Sequence, residues 1–187
     1  MRNKIRKIAI YLMVATVFGC ITSCGSKEEE HLDAWMIANL NALNAIRNNP
    51  EYKELQSPGN EGSIFYKVLQ RGDGTDSIKY TSTVTYYHKG LFIADYPYYN
   101  IKAGDIFSQR LFEDGIPKPA YVSSDVINGC KTALQHMVKG DKWEIWIPYQ
   151  LGYGRAGSTD SNGKVSIPGY STLVFELEVI TVKGIDD

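Results

Sequence analysis

The sequence predicts an α+β fold: an antiparallel β-sheet covered on one side by one short α-helix, with a further helix at the N-terminal end. Three observations predict it. Residues 171–182 place Leu173, Phe175, Leu177 and Val179 on one face of a strand, opposed by Glu176 and Glu178. That period of two marks a sheet wet on one side, which is usually antiparallel. Among the strand-like segments only one convincing helical period occurs, ending near Gly140, so a single helix must cover the dry face. Residues 28–47 carry a separate helical period before the strands begin.

Taken in chain order, residues 1–24 read as a targeting segment. Arg2, Lys4, Arg6 and Lys7 form a basic front, residues 8–21 are almost purely apolar, and small residues lead to Cys24. This is a secretory signal pattern, too short for a comfortable membrane span. The tetrapeptide at 21–24, Ile-Thr-Ser-Cys, resembles a bacterial lipobox, which makes Cys24 the expected lipidation site. Cys20 is a weaker candidate because Phe18 is bulky, and an ordinary cleaved signal or an uncleaved anchor is the plainer alternative. Acyl chains on Cys24 would hold the protein on a membrane, each buried methylene contributing roughly 0.8 kcal/mol. The expected location is the cell envelope, at the outer membrane, facing periplasm or exterior. The run Gly-Ser-Lys-Glu-Glu-Glu at 25–30 resembles a surface-export signal of some Gram-negative lipoproteins, and reads equally well as a solvated tether.

Residues 25–61 are expected to form that tether and an amphipathic helix. Leu32, Trp35, Met36, Leu40, Leu43 and Ile46 recur at threes and fours. Glu28–Glu30 favour the positive helix start, and Asn49 before Pro50 should end the helix. Residues 56–63 have the composition of a loop. The main domain is then 62–187. Residues 63–70 read as a strand closed by a Gly-Asp-Gly turn, and residues 80–93, rich in β-branched and aromatic side chains, as a second. Residues 96–104, Tyr-Pro-Tyr-Tyr-Asn-Ile-Lys-Ala-Gly, interrupt the strands as an extended loop or hairpin. Residues 104–112 form another strand. The helix follows, with Ser123, Ser124, Asp125 and Asn128 as candidate N-caps. Cys130, Ala133, Leu134 and Met137 form its apolar face, and Gly140 is its expected stop. Trp143, Ile145 and Ile147 alternate in the next strand.

The 187 residues are 43% hydrophobic and 22% charged, as in a soluble globular protein. The net charge is −1, and losing the four basic residues of the leader takes it to −5. No basic field for nucleic acid is implied. With Cys24 lipidated and Cys20 removed, Cys130 is the sole thiol and no internal disulfide forms. No Cys/His spacing suits zinc. Asp160–Gly163 faintly resembles a calcium loop but lacks its downstream glutamate, so a turn is expected and no metal or cofactor is called for.

From residue 126 onward a specific order of motifs appears. It runs Val126-Ile127-Asn128-Gly129, Met137-Val138-Lys139-Gly140, Ile147-Pro148, Tyr153-Gly154, Ile167-Pro168 and Thr172-Leu173-Val174-Phe175. Upstream, residues 62–74 and 104–121 add a first strand and a Gly-x-x-Phe strand with its loop. In order and spacing these resemble the FK506-binding-protein (FKBP) type of peptidyl-prolyl cis-trans isomerase, over about residues 62–184. The resemblance implies a sheet curved around one short helix, with an apolar pocket between them. It implies catalytic roles for Tyr153, Ile127 through its main-chain N–H, Phe175 and Ser108. It implies substrate contacts at Phe107, Val126, Cys130, Ile167 and His88, with Tyr121 as a further wall. Implied partners are proline-containing polypeptides and FK506-like macrolides, with the membrane reached through the lipid anchor only. The expected activity is X-Pro isomerisation in the folding of exported proteins. A catalytically weak peptide-holding module is the alternative.

Three positions depart from the family's pattern. The tryptophan that floors the pocket is Cys130 here, which deepens or deforms the cup unless Trp143 or Trp146 fills it. The aspartate after the strand phenylalanine is Ser108, which hydrogen-bonds but carries no charge. The family's Tyr-x-Gly reads His88-Lys89-Gly90, so His88 replaces a pocket tyrosine, unless a shifted register brings in Tyr86 or Tyr87. The aromatics of 96–104 either touch peptide or pack against the sheet, with packing favoured.

Overall fold

The computed structural model describes residues 27–117 and 119–183. The expectations for residues 1–24, Cys24 included, lie outside them. From His31 onward the chain forms one compact unit, so the expected boundary near residue 62 runs through continuous packing.

Helix α1 spans Lys27–Arg47, as the apolar period predicts. Its buried stripe is narrower than expected: Trp35, Asn39 and Leu43 are buried, one turn apart, whereas Leu40 is 38% exposed. Asn39 takes a core position because its amide is satisfied there, donating to the Trp35 carbonyl at 2.9 Å and accepting the Thr172 N–H at 2.8 Å.

The sheet is antiparallel throughout, in the order β1-β2-β6-β9-β3-β4. Its strands are β1 (Lys53–Gln56), β2 (Ser63–Gln70), β3 (Thr83–Phe92), β4 (Ile106–Arg110), β6 (Lys142–Ile147) and β9 (Leu173–Lys183). A short β5 (Ala120–Tyr121) pairs with β3, and β7 (Ser158–Thr159) with β8 (Val165–Ile167) forms a separate hairpin. Strand β9 is central, flanked by β6 and β3, and its inward Leu173, Phe175, Leu177 and Val179 are all buried. Trp143, Ile145 and Ile147 are buried beside them. Strand β1 escapes sequence reading because Lys-Glu-Leu-Gln has no strand preference. It pairs because the turn at 57–62 folds it back onto the edge of β2.

Helix α2 (Asn128–Leu134) buries Cys130, Ala133 and Leu134 against the sheet. It is shorter than expected and capped differently. Ile127 is the N-cap residue and makes no side-chain cap. Asp125 is committed elsewhere, accepting the Tyr121 N–H at 2.9 Å and the Ser124 hydroxyl at 2.7 Å, and Asn128 donates to Glu61 at 3.0 Å. After Leu134 the chain tightens, with His136 and Met137 bonding three residues back. Met137 still reaches the core. Gly140, at φ = 86°, does not stop the helix but turns the chain into β6. The Asp141 carboxylate holds that turn by accepting the Val138 and Gly72 N–H groups.

Candidate active site: an apolar cup between helix and sheet

Strands β3 and β9 and the start of α2 enclose a cavity of about 240 Å³. Val126, Ile127, Phe175 and Leu177 make its apolar surface, and Tyr86, His88, Ser108, Asp125, Cys130 and Tyr153 complete it. Of the residues expected from sequence, seven meet here: Tyr153, Ile127, Phe175, Ser108, Val126, Cys130 and His88. Three do not line it. Phe107 stands behind Phe175, edge-to-face at 5.4 Å, and lies on a different groove with Phe92 and Val165. Ile167, the last residue of β8, is buried in the core. Tyr121 is 59% exposed on the two-residue β5, because Asp125 draws its backbone to the surface turn.

Tyr86 was legible only as an alternative to His88, yet both residues line the cup, two apart on β3 with rings 5.8 Å apart. This resolves the missing floor. Neither Trp143 nor Trp146 borders the cavity. Trp143 stacks on Tyr66 at 4.3 Å, with its indole N–H buried and without a partner among the described residues. Trp146 points to the other face and donates to Glu144 at 2.8 Å. The phenol of Tyr86, coming from the sheet, occupies the neighbourhood of Cys130. Burial, with the Cys130 thiol and the Tyr153 phenol nearby, holds Tyr86 well above the usual phenol range. Burial likewise pushes the Cys130 thiol up to about 12, so it is a neutral, inert group.

Donors of the cup's lining lack a protein acceptor among the described residues, the Tyr153 hydroxyl and the Ile127 N–H among them. Ile127 is extended (φ −67°, ψ 154°) at the helix entrance, where backbone donors are unsatisfied by construction. Burial and the nearby thiol raise Tyr153, keeping it a protonated donor. On the opposite wall His88 Nε2 and Ser108 Oγ lie 2.9 Å apart. This neutral pair stands where the family carries a tyrosine and an aspartate.

Burial lowers the His88 imidazole below its ordinary value of 6.5. Its folded value is thus below its unfolded one, and between the two the unfolded chain binds more protons. The His88 contribution to stability is therefore complete above pH 6.5 and is lost as pH falls through the window beneath it. Urea midpoints at pH 7.5 and pH 5.5 should fall for the native chain and fall less for His88→Gln, which keeps a hydrogen bond to Ser108 without titrating.

An antiparallel sheet packed on one short helix, with a donor-edged cavity between them, defines a protein class by fold. The FKBP-type peptidyl-prolyl cis-trans isomerase profile matches residues 76–180. The chain belongs to that family. It is 28% identical to a macrophage infectivity potentiator of Trypanosoma cruzi, over 97% of this chain and 85% of that protein. It is 32% identical to the FKBP-type 22 kDa peptidyl-prolyl cis-trans isomerase of Escherichia coli, over 65% of this chain, and spans about half, 51%, of that protein's length. The crystal structure of a peptidyl-prolyl cis-trans isomerase from Pseudomonas syringae pv. tomato superposes with a TM-score of 0.62 at 28% identity, covering 86% of this chain and 98% of that one.

Proposed function

We propose that the chain isomerises X-Pro bonds of exported polypeptides, holding the proline in the cup. One observation carries this reading: a cavity with an apolar wall of Val126, Ile127, Phe175 and Leu177, and with Tyr153 Oη–H and Ile127 N–H unpartnered among the described residues. Rotation about an X-Pro bond faces a barrier of about 18–20 kcal/mol because the amide is conjugated. The rotating state is a twisted amide with less charge separation than the planar one. A dry apolar cup stabilises it relative to the planar form, which water solvates better. The two donors fix the peptide carbonyls so that rotation occurs about one bond. No group of the cup need gain or lose a proton, which agrees with neutral His88, Cys130 and Tyr153.

In a protease-coupled isomerisation assay, Tyr153→Phe should lower kcat/KM about three- to tenfold, the worth of one hydrogen bond. Tyr86→Phe keeps the floor's volume and should change it less, while Tyr86→Ala opens the floor and should weaken peptide binding. An FK506-like macrolide is expected to compete with peptide for the same cup. A proline-holding module without turnover is the second reading, favoured by the uncharged His88–Ser108 pair. Peptide binding without acceleration would select it.

We also propose that Cys24 is lipidated and holds the protein at the outer membrane of the cell envelope. The basic front, apolar run and Ile-Thr-Ser-Cys at 21–24 support this. Radiolabelled palmitate should enter the native chain in a bacterial host, and a Cys24→Ala chain should take up none.

A further inference from the structure

The segment that carries Tyr153 is anchored from outside the cup. Residues 153–157 and 167–170 lie backbone to backbone: the Tyr170 N–H donates to the Gly154 carbonyl at 3.0 Å. A Cβ on Gly169 would stand 2.0 Å from the Arg155 carbonyl oxygen, and one on Gly157 2.2 Å from that of Ile167. The 168–172 turn that closes this pair holds Tyr170 at φ = 60°, a left-handed conformation costing a non-glycine residue about 1–3 kcal/mol. Such a turn persists only when its surroundings hold it.

Helix α1 supplies that hold. Trp35, 1% exposed, donates Nε1–H to the Gly169 carbonyl at 3.0 Å. Asn39, 0% exposed, accepts the Thr172 N–H at 2.8 Å, and the Thr172 hydroxyl lies 3.4 Å from the Asn39 carbonyl. A second path leads from the same tryptophan to the cup's other wall. The Trp35 ring stacks on Tyr96 at 4.9 Å and meets Phe92 edge-on at 6.2 Å. Phe92 packs on Phe107 at 5.0 Å, and Phe107 on Phe175 at 5.4 Å. Both paths pass through packed or hydrogen-bonded groups; the first ends on Gly154, the chain neighbour of Tyr153, and the second on the cup residue Phe175.

We propose that α1 is a brace of the active site, with Trp35 and Asn39 as positioning residues that fix the Tyr153 segment through the 168–172 turn. The proposal rests on the isomerase reading for its kinetic consequence, not for its structural one. Trp35→Phe keeps an aromatic ring on Tyr96 and removes the donor to Gly169. Asn39→Ala removes the acceptor for Thr172. Each, made in the full chain, should speed hydrogen exchange at the Tyr170 amide at least tenfold while leaving amides of β6 and β9 at native rates. Each should also lower kcat/KM on a proline peptide, by no more than the roughly three- to tenfold of Tyr153→Phe and chiefly through KM, because the Tyr153 donor is no longer held in register. Tyr153→Phe should be additive with neither, since the brace acts through that residue. Native Tyr170 exchange in both variants would overturn the brace. Fast exchange with native kcat/KM would overturn its role in positioning Tyr153. A native chain without isomerase activity would overturn the isomerase reading alone. The exchange arm, with proline-peptide affinity in place of kcat/KM, would still decide the brace.

Discussion

Phe175→Ala is expected to abolish isomerase activity and to destabilise the chain by about 3–5 kcal/mol. The side chain is 6% exposed and stands on the central strand, opposite Gly90 on one neighbour and Ile145 on the other. It meets Phe107 edge-to-face at 5.4 Å and the His88 ring at 6.4 Å, so it joins the cup to the core beneath it. Truncation would leave a void that two rigid strands cannot collapse into, and would open the cup downward to Phe107. Phe175→Leu separates the two roles: it keeps most of the volume, and should cost less than about 1.5 kcal/mol. It should nevertheless lose most of its activity, because a flat wall against the proline ring is gone. Urea unfolding and the isomerisation assay check the pair. Native turnover in Phe175→Ala would put the chemistry elsewhere on the molecule.

Gly90→Val is the second large effect, and acts by filling rather than emptying. A Cβ at Gly90 would lie 2.6 Å from Phe107 Cζ and 2.9 Å from Phe175 Cε1. Even alanine must displace both rings, and valine must displace them further, in a strand paired on both sides. Overpacking of this kind costs typically about 1–3 kcal/mol. Phe175 borders the cavity, so its displacement in that direction should also narrow the cup. Expected results are a lower urea midpoint and peptide affinity reduced by more than tenfold. A folded Gly90→Val chain that binds peptide normally would show that Phe175 does not shape the site.

Legibility in the sequence followed how local each cause was. Strand β9 was readable because its alternation is set by one wet face, and β2 because a turn closes it. The cup's principal residues came from motif order, since Val126-Ile127, Tyr153 and Phe175 are brought together by a topology those motifs mark. What sequence reading missed depends on partners distant in the chain. Asn39 looks like an ordinary polar helix residue until Thr172 is beside it, 133 positions away. Strand β1 exists only because β2 has a free edge. Tyr86 could not be chosen over Tyr87 without the β3 register, which puts Tyr86 in the cavity wall with Cys130 and leaves Tyr87 outside it. Of the aromatics of 96–104, Tyr96 is buried on Trp35 of α1, whereas Tyr98 is 46% exposed. Tyr121 was misplaced because its neighbour Asp125, expected to cap a helix, instead holds a surface turn.

The cup's central property is acceleration of rotation about a bound X-Pro bond. Exchange NMR on a proline peptide with both isomers populated measures this directly, with the native chain at substoichiometric concentration. The predicted result is cis–trans exchange cross-peaks that appear only with the protein present, together with amide shifts at Ile127, Tyr153 and Phe175. Absence of such exchange, with peptide-induced shifts falling on residues outside the cup, would contradict it.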